Sequence, residues 1–107
     1  MSERVVVLST VATAEDAERI AGELVERRLA ACVNVVAGLR SVYRWKGAVE
    51  RDAERQLVIK TTRERLPALE KRLKELHAYE LPEFIVIETD GGSDEYLRWV
   101  EENAASR

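Results

Sequence analysis

The chain has 107 residues, 17 Lys+Arg against 20 Asp+Glu for a formal net charge of -3, and 46% hydrophobic residues. One domain over 1–107 fills that length, burying about two-thirds of its unfolded surface without staples, and the apolar run Val5 to Leu8 is far below the about 20 residues that cross a bilayer. The acid excess argues against nucleic acid as a partner, because phosphate backbones are captured by Lys and Arg gathered on one surface.

No repeat, low-complexity tract or linker interrupts the chain. Val5 to Val11 is rich in β-branched residues and its apolar positions run together, which predicts a first strand buried on both faces. Thr13 then caps a helix in which Ala17, Ile20, Ala21, Leu24 and Val25 recur at helical spacing. Glu15, Asp16 and Glu18 suit its positive end, and Arg27 and Arg28 the other.

From Ala31 the pattern changes to period two. Val33, Val35, Ala37, Leu39, Tyr43 and Trp45 are expected on one face, with Asn34, Arg40, Arg44 and Lys46 on the other. Lys46-Gly47 reads as a turn, and Ala48 to Thr62 returns as the second arm of a hairpin. Leu66, Leu69, Leu73 and Leu76 mark a second helix, capped by Thr62 or a neighbour, with Pro67 in its first turn and Pro82 beyond its end. Phe84 to Thr89 is a fourth strand, and Ser93 opens a last helix carrying Tyr96, Leu97, Trp99 and Val100.

The class is therefore α+β, a ferredoxin-like β-α-β-β-α-β order with a C-terminal helix, an antiparallel sheet covered by helices on one face, and a long hairpin between the second and third strands. Arms of about 15 residues would each span roughly 50 Å, whereas a compact domain of this size is only about 30 to 35 Å across. The hairpin must overhang its core, exposing Val42, Tyr43, Trp45 and Val49, and copies of the same chain are the economical cover. A homo-oligomer follows as an expectation. The alternative is a break at Gly38 or at Glu50-Arg51-Asp52 that folds the ribbon home.

Chemistry-bearing residues are few. His77 is the only imidazole; with Glu80 and Glu83 it could form a metal or proton-handling cluster, or it could simply cap the second helix. Cys32 is the only thiol, so no internal disulfide forms; with no recognisable signal segment, the cytoplasm is the expected compartment. One thiol closes no metal site, but copies in a ring could pool thiols or imidazoles, and sulfur favours copper. Glu50, Asp52 and Glu54 alternate with Arg51 and Arg55 and read as a solvated run that could hold a hard cation loosely, while Tyr79, Tyr96 and Trp99 read as core aromatics. No catalytic triad or phosphate-cradling loop occurs, so an enzyme is not indicated. Charged residues at 35%, with Asn34, Asn103 and Gln56 the only side-chain amides, lean towards heat resistance.

Several ordered motifs carry a family likeness: Leu29-Ala30-Ala31-Cys32-Val33-Asn34, Ser41-Val42-Tyr43-Arg44-Trp45-Lys46-Gly47, Leu57 to Thr62, His77-Ala78-Tyr79-Glu80-Leu81-Pro82-Glu83 and Tyr96-Leu97-Arg98-Trp99. Over almost the whole chain it resembles the CutA family of divalent-cation tolerance proteins. The resemblance implies a ferredoxin-like homotrimer joined by strand pairing, a response to metal ions, and binding of copper or another divalent metal ion with no organic cofactor. It carries over Cys32 and His77 as metal ligands, and makes Tyr43, Trp45, Tyr79, Glu80, Glu83 and Trp99 candidates for a cleft or interface. It also implies a trimer like those of PII signalling proteins, and so an alternative in which clefts between subunits bind a small molecule or a protein partner. The chain departs from the family at Ala37 and Ala78, where Pro is common, and at Ser9, where some relatives carry Cys.

Overall fold

A computed structural model of the chain describes residues 3–106. The elements are β1 (Arg4–Val11), α1 (Ala14–Glu26), β2 (Cys32–Trp45), β3 (Ala48–Thr62), α2 (Leu66–Leu76), β4 (Ile85–Glu88) and α3 (Asp94–Asn103). They build one antiparallel sheet in the order β2-β3-β1-β4. Because β1 and β3 are central, each end of the sheet presents a strand with one unpaired edge.

Local chemistry sets the boundaries. Thr13 Oγ1 accepts the Asp16 N–H at 3.0 Å and opens α1; Ser93 Oγ accepts the Tyr96 N–H at 3.0 Å and opens α3. Lys46 and Gly47 both adopt positive φ, 49° and 84°, the geometry of a two-residue hairpin turn that matches strand twist. Thr62 does not cap α2. The Arg63 N–H donates to Glu3 O at 2.8 Å, extending the strand pairing, so a 3-10 turn over Arg63–Arg65 intervenes before the helix starts.

One face of the sheet carries the main core. Val7 and Val11 of β1 and Leu57 and Ile59 of β3 meet Ala17, Ile20 and Leu24 of α1 and Leu69 and Leu73 of α2, all buried. Each large side chain so buried contributes about 1.5–3 kcal/mol. The expectation that β1 is buried on both faces does not hold: only its alternate residues, Val5, Val7, Ser9 and Val11, are sealed. Its other face, with Val6, Leu8 and Thr10, is covered only in part. At one end of that face α3 packs, with Arg4 Nη1 3.2 Å from Glu101 and Val100 and Ala104 against Ala31. Helices therefore lie on both faces. Ile85 and Ile87 of β4 remain 51% and 45% exposed on the uncovered part.

The hairpin does overhang. The molecule measures 44 × 26 × 22 Å, and Val42 and Val49 near the hairpin end are 62% and 50% exposed. The Glu50-Arg51-Asp52 stretch stays paired, but Gly38 does mark a break in register. Val36 faces Gln56 and Leu39 faces Glu54, so Ala37 and Gly38 together oppose Arg55 in a bulge. Gly38 has φ 81°, a conformation that costs a residue with Cβ. The extra residue inverts the alternation. Val33 and Val35 pair with Ile59 and Leu57 on the α1 side, whereas Leu39, Ser41, Tyr43 and Trp45 fall on the opposite face, contrary to the single face expected.

Candidate functional site

That inversion, together with the segment between α2 and β4, creates a cleft of about 1000 Å³. One wall is the outer hairpin with Tyr43, Trp45 and Lys46; the other is the run from Ala78 to Ile85; Thr10 and Glu54 lie between. α2 ends at His77 because its N–H still donates to Leu73 O while its own backbone turns extended, and Pro82 bars a return to helix. The connection therefore crosses the sheet as an irregular strap.

His77 pins this strap. Its Nδ1 accepts the Tyr79 N–H at 3.0 Å, so Nε2 carries the ring proton and donates to Thr10 O at 2.7 Å. The rings of His77 and Tyr79 lie 4.7 Å apart. Both imidazole nitrogens are used, which makes His77 a positioning residue for Tyr79.

Tyr79 in turn donates its hydroxyl to Glu54 Oε2 at 2.6 Å. Glu54, only 8% exposed, is no member of a solvated charge run as its sequence neighbourhood suggested. Burial and then the Glu54 carboxylate push the Tyr79 hydroxyl well above its ordinary range. Burial, and after it the negative charge of Glu54, also raises the Glu83 carboxyl. Tyr43 hydrogen-bonds to Asp52, and that bond holds its hydroxyl up at about 12. At the mouth Lys46 Nζ lies 3.8 Å from Glu80 and 5.5 Å from the centre of the Trp45 ring.

Five of the six residues expected at a cleft or interface, Tyr43, Trp45, Tyr79, Glu80 and Glu83, thus meet in one place. Trp99 does not. It stacks on Tyr96 at 5.5 Å on α3, both rings more than 40% exposed rather than in the core. Glu54 and Asp52, read from the sequence only as a solvated run open to a loose cation, instead meet Tyr79 and Tyr43; their period-two spacing signals this once the bulge is known.

Cys32 lies at the other end of that face, level with Lys60, and its thiol meets the Tyr96 hydroxyl, which burial first and then Cys32 raise. Lys60 pairs with Val6, whereas His77 reaches Thr10, four residues or about 13 Å further along β1. Within one chain Cys32 and His77 therefore cannot share an ion. Among the described residues no three His, Cys, Asp or Glu side chains converge as a metal site needs. The described residues of a single chain do not fit a resident metal ion.

The family model for the CutA1 divalent ion tolerance protein matches residues 5–103. A "Divalent-cation tolerance protein CutA" of Thermus thermophilus is 51% identical over 98 residues, covering 92% of this chain and 95% of the relative. A chloroplastic CutA 1 protein of rice is 45% identical over 90% of this chain, which spans only 54% of that relative. Among solved structures, CutA from Xylella fastidiosa superposes with a TM-score of 0.94 at 40% identity, covering 97% of this chain and all of its own. A structure described as the periplasmic divalent cation tolerance protein CutA from Archaeoglobus fulgidus gives 0.92 at 32% identity, covering 95% and 99%. With backbone superposition and residue identity agreeing along nearly its full length, the chain belongs to the CutA1 family of divalent ion tolerance proteins.

Proposed function

We propose that this protein acts as a cytoplasmic homotrimer that binds copper or another divalent metal ion in a metal-response role, without catalysing a reaction. The supporting observation is the unfinished surface of the single chain. Two sheet edges, the outer hairpin and the exposed Ile85 and Ile87 all await a partner, and copies of the chain supply complementary ones. Assembly also answers the metal problem, since Cys32 or His77 from several subunits could supply what one chain lacks. A ligand role for His77 requires giving up its bond to Thr10 O or to the Tyr79 N–H. The single thiol supports a reducing compartment.

Sedimentation equilibrium at micromolar protein tests the assembly: a species of three chains is expected, and a single-chain mass defeats the reading. Copper titration tests the ligands. Cys32→Ala and His77→Ala should each weaken binding, and parental affinity in both would remove them as ligands.

A second reading rests on the cleft itself. Its volume falls within the range of small-molecule sites, and it combines apolar walls with a few convergent polar groups. A trimer whose clefts bind a small molecule, in the manner of a PII-like signalling protein, accounts for the buried Glu54 and the strap that His77 fixes over it.

A further inference from the structure

We propose that the cleft between the outer hairpin and the Ala78 to Ile85 strap binds a small organic monocation of the arylalkylammonium kind, its ammonium held by Glu54 and Glu83 and its ring by Trp45 and Tyr79. The proposal deepens the small-molecule reading and rests on it.

Charge is the first ground. Glu54 is almost wholly buried, and a buried carboxylate is costly to keep unless a cation or several donors meet it. It receives one hydrogen bond, from Tyr79, where a carboxylate offers about four acceptor sites. Among the described residues no Lys or Arg forms an ion pair with Glu54 or with Glu83. Glu83 lines the same cleft, where burial first and then the charge of Glu54 make it retain its proton more tightly. Both carboxylates are thus left without a paired cation among the described residues, and an ammonium ion would supply one.

Shape and composition decide between an organic and a metallic cation. A bare metal ion needs at least three converging donors, which the described residues do not provide, and far less room than about 1000 Å³. Aromatic faces suit an ammonium, and Lys46 already places its own over Trp45. Arg44 and Lys46 on the hairpin wall limit the charge of the ligand. Glu80 occupies Lys46 only weakly at 3.8 Å, and Asp52 is engaged by Tyr43, so a second positive charge on the ligand would meet repulsion at the mouth.

Calorimetric titration of the full chain near pH 7 with 2-phenylethylammonium chloride, 2-phenylethanol and spermine tests this, ammonium groups being charged at about that pH. Expected is saturable binding of the monoamine, at least roughly tenfold tighter than the alcohol or spermine, and weakened at least roughly tenfold by Glu54→Gln. Glu83→Gln, at a less buried position, should give the same direction of change even where Glu54→Gln fails to fold. Equal binding of alcohol and amine overturns the charge assignment while leaving a small-molecule cleft in place. Failure of every probe to saturate overturns the amine proposal, and the same failure across neutral and anionic aromatic probes overturns the cleft reading as well. Saturation by manganous ion that Glu54→Gln abolishes, without amine binding, assigns the cleft to metal instead.

Discussion

The two ends of β3 belong to different physical regimes. From Leu57 to Thr61 alternate residues are fully buried beneath α1 and α2, whereas Ala48 to Ala53 are exposed throughout. One strand is core at one end and scaffold at the other. The inner end is held by burial and would survive changes at its surface; the outer end is held by ladder hydrogen bonds, a tight turn and side-chain ties to the strap. The candidate site sits on the outer end, where few apolar contacts resist ligand-driven rearrangement.

The largest difference should appear on truncating one side chain at each end. Leu57→Ala removes a fully buried residue and should cost about 2–5 kcal/mol, whereas Val42→Ala in a single chain should stay within about 0.5 kcal/mol. Denaturant unfolding over a series of protein concentrations separates the cases. A Val42→Ala cost that grows with concentration would locate a partner chain on the hairpin. Equal costs in dilute protein would break the contrast, because the outer end would then be packed from within.

Much of the inner end was legible. The apolar spacing that gives Leu69 and Leu73 and the Thr13 cap are local signals, and each acts over a few residues. The outer end was legible in outline only. A period-two count cannot register that Ala37 and Gly38 share one partner, so every side chain beyond them was placed on the wrong face. Glu54 looked solvated because Arg51, Asp52 and Arg55 surround it in sequence, while the group that covers it, Tyr79, comes from 25 residues away. Burial on both faces of β1 was misjudged for a related reason: an apolar run records what a strand can bury, not how much of it one chain covers.

A smaller effect is expected where the strap is tied to the hairpin. Tyr79→Phe keeps the ring but removes the hydroxyl that donates to Glu54, leaving a buried acceptor unpaired at a cost of about 1–3 kcal/mol. Hydrogen exchange should show faster opening of hairpin amides from Ser41 to Ala53, with amides of Leu57 and Ile59 unaltered. Uniform acceleration at both ends would mean that the two regimes unfold as one.

The smallest effects are opposite pH slopes at the two regions. On α1 the Glu23 carboxyl is held below its ordinary 4.5, first by Arg72 and then by Arg27, so its contribution is present above that value and is lost as pH falls through the depressed pKa. Glu83 on the strap is held above 4.5, first by burial and then by Glu54, so its folded form retains a proton that the unfolded chain gives up. Its contribution is full below 4.5 and declines as pH rises through the raised pKa. Both groups keep partial contact with water, and the slopes should be shallow and salt-sensitive. Raising pH from the acid side should therefore tighten amides near the Glu23 and Arg72 pair first and then loosen those of the strap. Glu83→Gln should abolish the second change alone. Loss of both changes in that variant would mean that the strap and the helix layer titrate together, and the separation of the two regions would have to be given up.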